Sequence, residues 1–305
     1  MQRYLIKRSF QSLIVILGIT VIVFMILHLT GDPTDLLLPP EAGPEERELL
    51  RHELGLDKPI YVQYLEYIKN ICHGDFGQSF RYQTPAFSVV MGALPATIEL
   101  TMAAMILSIV VALPIGIISA IRPRSYYDTL GMTFALLGQS IPVYWAGLML
   151  ILLFAVTLGW LPSTGRGGIK HLILPAVTLG MFSTAAIARF TRSSMIDVLD
   201  ADYIRTARIK GLSEHIVVLK HAFKNASIPV LTMTSLQFGR MLSGAVITET
   251  IFSWPGVGRI AVQAIYNRDF PVVQTVVLVA SVIFVGINFM VDIIYTYLDP
   301  RIKYT

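Results

Sequence analysis

Six stretches of this chain are long and apolar enough to cross a lipid bilayer, which removes most folds from consideration. They fall at about 9–30, 97–121, 128–160, 171–190, 226–251 and 274–298, each close to or above the roughly 20 residues that a spanning helix needs. Inside hydrocarbon no water meets the backbone N–H and C=O groups, and a spanning helix satisfies them within itself. Composition points the same way. Hydrophobic residues make up 54% of the chain and charged residues 14%, where a soluble domain carries about 25% charged. The expected fold class is an all-α polytopic membrane protein with six transmembrane helices.

The lysines and arginines orient these helices. Arg3, Lys7 and Arg8 precede the first run, and Arg122 and Arg124 follow the second. Arg189, Arg192, Arg205, Arg208, Lys210, Lys220 and Lys224 lie between the fourth and fifth, and Arg301 and Lys303 after the sixth. With six crossings all four clusters share one side, which the positive-inside rule makes cytoplasmic. Both termini are then cytoplasmic, 191–225 is a cytoplasmic loop and 31–93 an extracytoplasmic segment of one membrane domain spanning 1–305. That outer segment is acidic near its start, with Asp32, Asp35, Glu41, Glu45, Glu46 and Glu48. The net charge of +4 belongs to the inner loops and is no argument for nucleic-acid binding. Splitting the third run at Pro142 into two crossings would put the basic 189–224 segment outside. We therefore read 127–141 as an amphipathic or tilted portion leading through a break at Pro142 into one crossing. The first run is basic-flanked but lacks a small-residue cleavage site, so it is read as a retained helix. Cys72 is the lone cysteine and excludes an intramolecular disulfide or a cysteine-rich metal site.

Within 31–93, Pro39-Pro40 and Gly43-Pro44 mark a loop. Helical character follows over Glu45–Leu54, and Tyr61–Cys72 has near-helical apolar spacing suited to a helix lying along the outer membrane surface. Two glycines in His73-Gly-Asp-Phe-Gly-Gln-Ser-Phe break that pattern.

The 200–224 segment predicts a compact helix–turn–helix. Asp200 or Asp202 caps the first helix; Tyr203 to Lys210 contains neither Gly nor Pro; Gly211 stands where a left-handed residue closes a helix; Ser213 caps a second helix running toward Lys224. Thr206, Ala207 and Gly211 are small enough for a partner's backbone to come close. Arg205, Arg208 and Lys210 offer it positive charge. The plainer reading is an ordinary basic inner loop.

Ionisable residues inside the runs are costly, about 2.5–3.5 kcal/mol near the bilayer centre. Arg240 falls near the middle of the fifth run and requires a partner, with Glu99 or a carboxylate on another subunit as candidates. Asp292, Glu99 and Glu249 lie nearer the ends, where solvent or structural pairing serves them. Phe238, Met233 and Met241 in the same run suit an apolar gate or ordinary core, and Gly239 with Ser243 suits close helix packing. Beyond that run, Trp254, Pro255, Gly256 and Gly258 form a turn, its glycines free to adopt backbone geometries other residues avoid.

Taken in order, several segments resemble one family. They are the opening Arg3-Tyr-Leu-Ile-Lys-Arg8, Leu54-Gly-Leu-Asp-Lys-Pro59, Gly74-Asp-Phe-Gly-Gln-Ser79, Leu94-Pro-Ala-Thr97, Ile141-Pro142 and Arg189-Phe-Thr-Arg-Ser-Ser-Met195. Tyr203-Ile-Arg-Thr-Ala-Arg-Ile-Lys-Gly211, Ile228-Pro229, Glu249-Thr-Ile-Phe-Ser-Trp-Pro-Gly-Val-Gly258 and Asp299-Pro-Arg301 complete the set. The chain resembles, along essentially its whole length, the permease subunits of binding-protein-dependent ABC importers, in their dipeptide, oligopeptide, nickel and glutathione-like branch. The resemblance implies a type I importer permease fold with an extracytoplasmic cap, in the bacterial inner membrane. It implies a transport subunit and not an enzyme, working with a second homologous permease, two ATP-binding subunits, an extracytoplasmic substrate-binding protein and membrane lipid. ATP and Mg then belong to the ATPase subunits, and this chain holds no cofactor or metal. Tyr203, Arg205, Thr206, Ala207, Arg208, Lys210 and Gly211 correspond to the ATPase-coupling loop. Phe238, Arg240, Met241 and Glu249 are candidates for the path or gate, and Trp254 to Gly258 for an outer-mouth loop. One departure stands out: Arg205-Thr206 replaces the Glu-Ala of the broad family pattern, so the resemblance implies no salt bridge from a glutamate here to the ATPase.

No G-x-x-x-x-G-K-[ST] occurs, so the chain lacks that route to ATP; H-E-x-x-H and G-x-S-x-G are absent as well. The alternative function is an ion-coupled secondary transporter using Arg240, Asp292 and Glu99, for which six helices without evident inverted repeats are few. An intramembrane enzyme ranks last.

Overall fold

The computed structural model describes the backbone of residues 2–29, 32, 34–39 and 42–298, with side chains from Arg8 to Met290 apart from 30, 31, 33, 35, 36, 40, 41, 243 and 244. Asp292, Ser243, Arg301 and Lys303 thus carry expectations that lie outside the described side chains. The described residues are helical, with one isolated bridge between Gln78 and Pro85. In chain order the helices are α1 Gln2–Leu29, α2 Thr34–Leu37, α3 Pro44–Glu53, α4 Ile60–Cys72, α5 Ala86–Ile121, α6 Tyr126–Ser140 and α7 Val143–Leu150. They continue as α8 Ile169–Leu199, α9 Asp202–Ile209, α10 Glu214–Ile216, α11 Phe223–Ile251, α12 Val257–Tyr266 and α13 Phe270–Leu298. Ile151–Thr157 extends α7 and Val217–Ala222 joins α10 to α11, both with the wider π-helical winding.

Four helices meet the length and apolarity of a membrane span: Arg8–Leu29, Ala86–Ile121, Ile169–Leu199 and Phe270–Met290. The break expected at Pro142 is present. Ile141 is extended, as a residue before proline prefers, and α6 meets α7 with a bend of 103°. Counted as one broken span, this pair makes a fifth. Neither half reaches across alone, since Val143–Thr157 rises only about 22 Å at 1.5 Å per residue. α11 has 29 residues, ample length, but its described residues are less apolar than those of the other four, and the sixth crossing rests on it. α5 begins at Ala86, well before the expected 97, and both Pro95 and Pro114 are absorbed within it.

The described residues form two compact units, one built from the chain up to Ala96 with Pro255–Gly286, the other from Thr97–Trp254 with α13 from Ile287. In the first, Leu27, Ala86, Val90, Ala93, Val257, Ala264, Phe270, Val272, Val273 and Val276 form an apolar core. α4 is held along α1 by a His28 ring nitrogen bonded to Gln63 Oε1 (2.9 Å) and by Thr20 Oγ1 with Tyr64 Oη (3.1 Å). The two glycines expected to break the pattern after α4 do so, Gly74 and Gly77 standing at φ +83° and +75°. The loop they open is fixed by Asp269, which is 1% exposed and lies just before α13. Its carboxylate accepts from Ser79 Oγ (2.5 Å), Phe80 N–H (3.2 Å) and Arg81 N–H (3.3 Å). One buried carboxylate therefore organises a loop nearly 190 residues away in sequence.

Asp269→Ala leaves the buried Ser79 hydroxyl and the part-buried Phe80 and Arg81 N–H bonds without their acceptor, and is expected to destabilise the first unit by about 1–3 kcal/mol. Hydrogen exchange checks this: the amides of residues 79–82 exchange faster, while those of α9, in the second unit, keep the wild-type rate.

Candidate functional site

The coupling segment is built on the second unit. α8 runs to Leu199 and α11 is reached through continuous helix from Glu214, so the loop expected over 191–225 shrinks to about fourteen residues with α9 at their centre. Ile204 and Ala207 point inward and are buried with Met195, Val217, Val218, Ala222, Ala226 and Ala120. This corrects the expectation for Ala207: its small side chain lets α9 sit close to its own chain, not to a partner. Neither aspartate caps the helix. Asp200 ends α8, and Ala201 is the N-cap with no side-chain bond; Asp202 is the first helical residue, where its charge suits the helix dipole.

The far end matches the sequence closely. Gly211 has φ +76°; its N–H donates to Arg208 O (3.0 Å) and that of Leu212 to Ala207 O (3.4 Å), the paired bonds of a Schellman closure. Ser213 occupies the N-cap of the next helix but makes no cap bond. The turn is clasped instead by Arg208, whose guanidinium donates to both Glu214 oxygens (3.2 and 2.7 Å). Arg208 is thus engaged within the chain. The bond to Arg208 outweighs the opposing effect of burial and holds the Glu214 carboxyl below its ordinary 4.5. Asn225 Nδ2 donates to Tyr203 Oη (3.0 Å), tying α9 to the base of α11.

What remains outward is Arg205, Thr206, Ile209, Lys210 and Gly211. Ile209 is 86% exposed, an apolar knob beside Arg205 and Lys210, neither of which has an ionic partner among the described residues. Sequence reasoning missed it. The signal was there: an isoleucine inside a short basic helix whose buried face already has Ile204 and Ala207.

A second feature the sequence did not reveal lies between α6 and α8. Arg192, counted only as a loop charge, sits within α8 and donates from Nε and Nη2 to the two oxygens of Asp128, each 2.7 Å. Asp128 also accepts from Arg124 N–H (2.9 Å). Its side chain is 8% exposed against 30% for Arg192.

The candidate path residues separate. Glu249 is fully buried and accepts from Thr97 Oγ1 (2.6 Å), in place of the solvated end position expected. Met241 is buried too, and Phe238 is half-buried. Glu99 pairs with Arg166, whose Nε donates at 2.8 Å, and so is not the partner of Arg240. Arg240 is exposed and has no hydrogen-bond or ionic partner among the described residues. Arg166, also unforeseen, lies over the ring of the fully buried Trp254 at 5.9 Å. Gly256 and Gly258 do not use glycine's freedom: Gly256 is an extended N-cap at φ −100° and Gly258 is inside α12. Both are buried, and the positive φ falls on Ser253. Pro255 is exposed. Among the described residues no three His, Cys, Asp or Glu side chains gather as metal ligands.

Long apolar helices, a braced amphipathic helix between two of them and an arginine without a partner among the described residues in a helix of spanning length suit a transport subunit of the permease class, and the comparisons with known proteins show that class. Residues 112–304 match the family described as binding-protein-dependent transport system inner membrane component, and 1–101 match its N-terminal counterpart. The chain belongs to this family. It is 44% identical to the dipeptide transport system permease protein DppB of Alkalihalophilus pseudofirmus over 333 positions, and 43% identical to the glutathione transport system permease protein GsiC of Escherichia coli K12 over 305. Both alignments cover 100% of each chain. Among solved structures, the inward-facing MetNI methionine ABC transporter matches with TM-score 0.60 and 19% identity, over 69% of this chain and 96% of that one. An amino acid ABC transporter matches at 0.55 and 17%, over 68% and 94%. These two show the shared permease fold. The protein is accordingly a multi-pass inner-membrane permease of an ABC importer and not an enzyme, and its ATPase and substrate-binding protein are other chains.

Asp128→Ala leaves the Arg192 charge without its partner and is expected to cost about 2–4 kcal/mol, less than a fully buried pair because the guanidinium is partly solvated. Thermal unfolding in detergent, with Arg192→Ala and the double variant closing a cycle, checks it: the double variant loses less than the sum. For the clasp, a depressed carboxyl stabilises above its unfolded pKa and stops doing so as pH falls through its folded one. The turn should therefore hold at pH 7 and loosen below about pH 4.5. Glu214→Gln at pH 7 should show the faster α9 amide exchange that the wild type shows in acid, after correction for intrinsic rates.

Proposed function

We propose that this chain is the channel-forming subunit through which short peptides, dipeptides or tripeptides such as glutathione, enter the cell. It pairs with a second homologous permease, and two ATPase subunits drive it from the cytoplasm through α9. Both termini and the 200–213 segment face the cytoplasm, and 31–93 faces the side from which a binding protein delivers substrate. ATP and Mg bind the ATPases, and this chain contributes no cofactor. The relatives named for dipeptide and glutathione transport support the substrate class.

The observation that carries the coupling role is the two-faced construction of α9. One face, Ile204 and Ala207, is buried against α8 and the base of α11; the other presents Arg205, Ile209 and Lys210 to whatever docks there. Brackets at both ends, Tyr203–Asn225 and Arg208–Glu214, keep the helix from pivoting. Force applied to the exposed face is passed to α8 and α11 and is not absorbed in a flexible loop. An ordinary inner loop needs no such bracing. Closure of the ATPases on nucleotide then switches the membrane helices between their two arrangements.

Ile209→Asp puts a charge where the exposed face requires an apolar contact, without touching the buried one. The variant is expected to reach the membrane at wild-type abundance, to lose most co-purifying ATPase and to reduce ATP-dependent peptide uptake at least tenfold, the scale of an interface hot spot. Unchanged ATPase recovery, or uptake by the chain alone in liposomes without ATP, would contradict the coupling role.

A further inference from the structure

Three features of α11 come together at Arg240. The helix is long enough to span, at 29 residues, and packs along α8, which is apolar enough to span by itself. Yet α11 is not among the helices whose described residues are apolar enough to span, and it carries Gln237, Arg240 and the hydroxyls of Thr232, Thr234 and Ser235. Arg240 is exposed with no partner among the described residues. Eleven residues separate it from the end of the helix at Ile251 and seventeen from its start at Phe223, about 16 and 25 Å at 1.5 Å per residue. Neither end is within easy reach of a snorkelling side chain. One turn before it, Gln237 is buried with its Oε1 lacking any partner, a further sign that this stretch is not a finished lipid-facing surface.

An arginine held there without a carboxylate has its planar, five-donor fork available to one that comes and goes. Peptides differ in their side chains, but every unmodified peptide carries a C-terminal carboxylate. We infer that Arg240 is a substrate-binding residue of the translocation path, where its guanidinium receives the C-terminal carboxylate of the passing peptide. This rests on the peptide-importer reading and adds to it a binding group and a chemical preference. A solvated arginine also suits a path better than a fixed ion pair would, because a bond made partly in water is readily released.

The test uses the assembled transporter, with its binding protein and ATPases, in proteoliposomes. Uptake of dialanine and trialanine is compared with uptake of their C-terminal amides for the wild type, Arg240→Gln and Arg240→Lys. Preferences of the binding protein are common to all three, so the change in the acid-to-amide ratio isolates Arg240. The expected result is a preference for the free acids in the wild type that falls at least tenfold in R240Q, through slower acid uptake with amide uptake kept. R240K should keep an intermediate preference, having the charge without the fork. Equal loss of acid and amide uptake in R240Q would overturn the inference and assign a structural role. So would loss of the second permease from R240Q complexes, which would place the arginine's partner on that chain. If R240Q does not assemble, an R240K ratio equal to that of the wild type, or a wild type indifferent to amidation, overturns it. Absence of ATP-dependent peptide uptake by the wild type would overturn the importer reading itself, a result distinct from uptake that ignores the carboxylate.

Discussion

Hydrocarbon offers no hydrogen bonds, and most of what is specific about this chain follows from how it places polar groups under that constraint. Asp128 meets Arg192 in a bidentate pair, Glu99 meets Arg166 and Glu249 takes the Thr97 hydroxyl. Each joins elements far apart in sequence: α6 to α8, α5 to the loop before α8, and α5 to the end of α11. Apolar surfaces between helices are interchangeable where lipid is as apolar as leucine, so they discriminate little between arrangements. A carboxylate with one available guanidinium discriminates strongly. The pairs act less as a source of net stability than as a specification of which helices are neighbours.

Close approach supplies the complement. A β-carbon at Gly116 would stand 2.6 Å from Thr191 Cβ, and one at Gly180 would stand 2.9 Å from Ser108 Oγ. Ser108 Oγ itself donates to Gly180 O at 3.0 Å. Glycine on one helix and a small hydroxyl residue on the other thus bring α5 and α8 near backbone contact. That rigidity bears on the proposed coupling, because α8 ends where α9 begins. A helix clamped along its length transmits a displacement at its end as motion of the whole, whereas a loosely packed one would bend.

Much of this was legible in the sequence. Hydropathy located the long helices, the Pro142 break and the two helices of the outer segment. Gly211 announced the end of α9 because only a left-handed closure explains glycine after an unbroken helical run. Pairing was not legible. Arg192 could be counted as an inner basic residue, but nothing local shows that α8 continues through it or that Asp128 lies opposite. The same holds for Arg166 and for Asp269, whose partners are 67 and 190 residues away. Small side chains misled in both directions. Ala207 looked like room for a partner and is the seat of α9 on its own chain, while Gly256 and Gly258 looked like conformational freedom and are buried at ordinary dihedrals. Size alone does not say which neighbour needs the space.

α11 shows why the weakest hydropathy signal is the most informative about transport. A helix that only supports the bundle gains from apolarity on every face not already paired. One that borders a water-filled route must give up part of that gain, and its sequence then falls between a span and a soluble helix. Gln237, Arg240 and the run of Thr232, Thr234 and Ser235 lower the apolarity of α11, which suits the path proposed beside it. The hydroxyls of the run bond back to carbonyls one turn earlier, which leaves them tolerable in either medium. The arginine has no such internal solution among the described residues. Its lack of a carboxylate there, on a chain whose buried acids Asp128, Glu249 and Asp269 are bonded, is why the path is proposed to run past it.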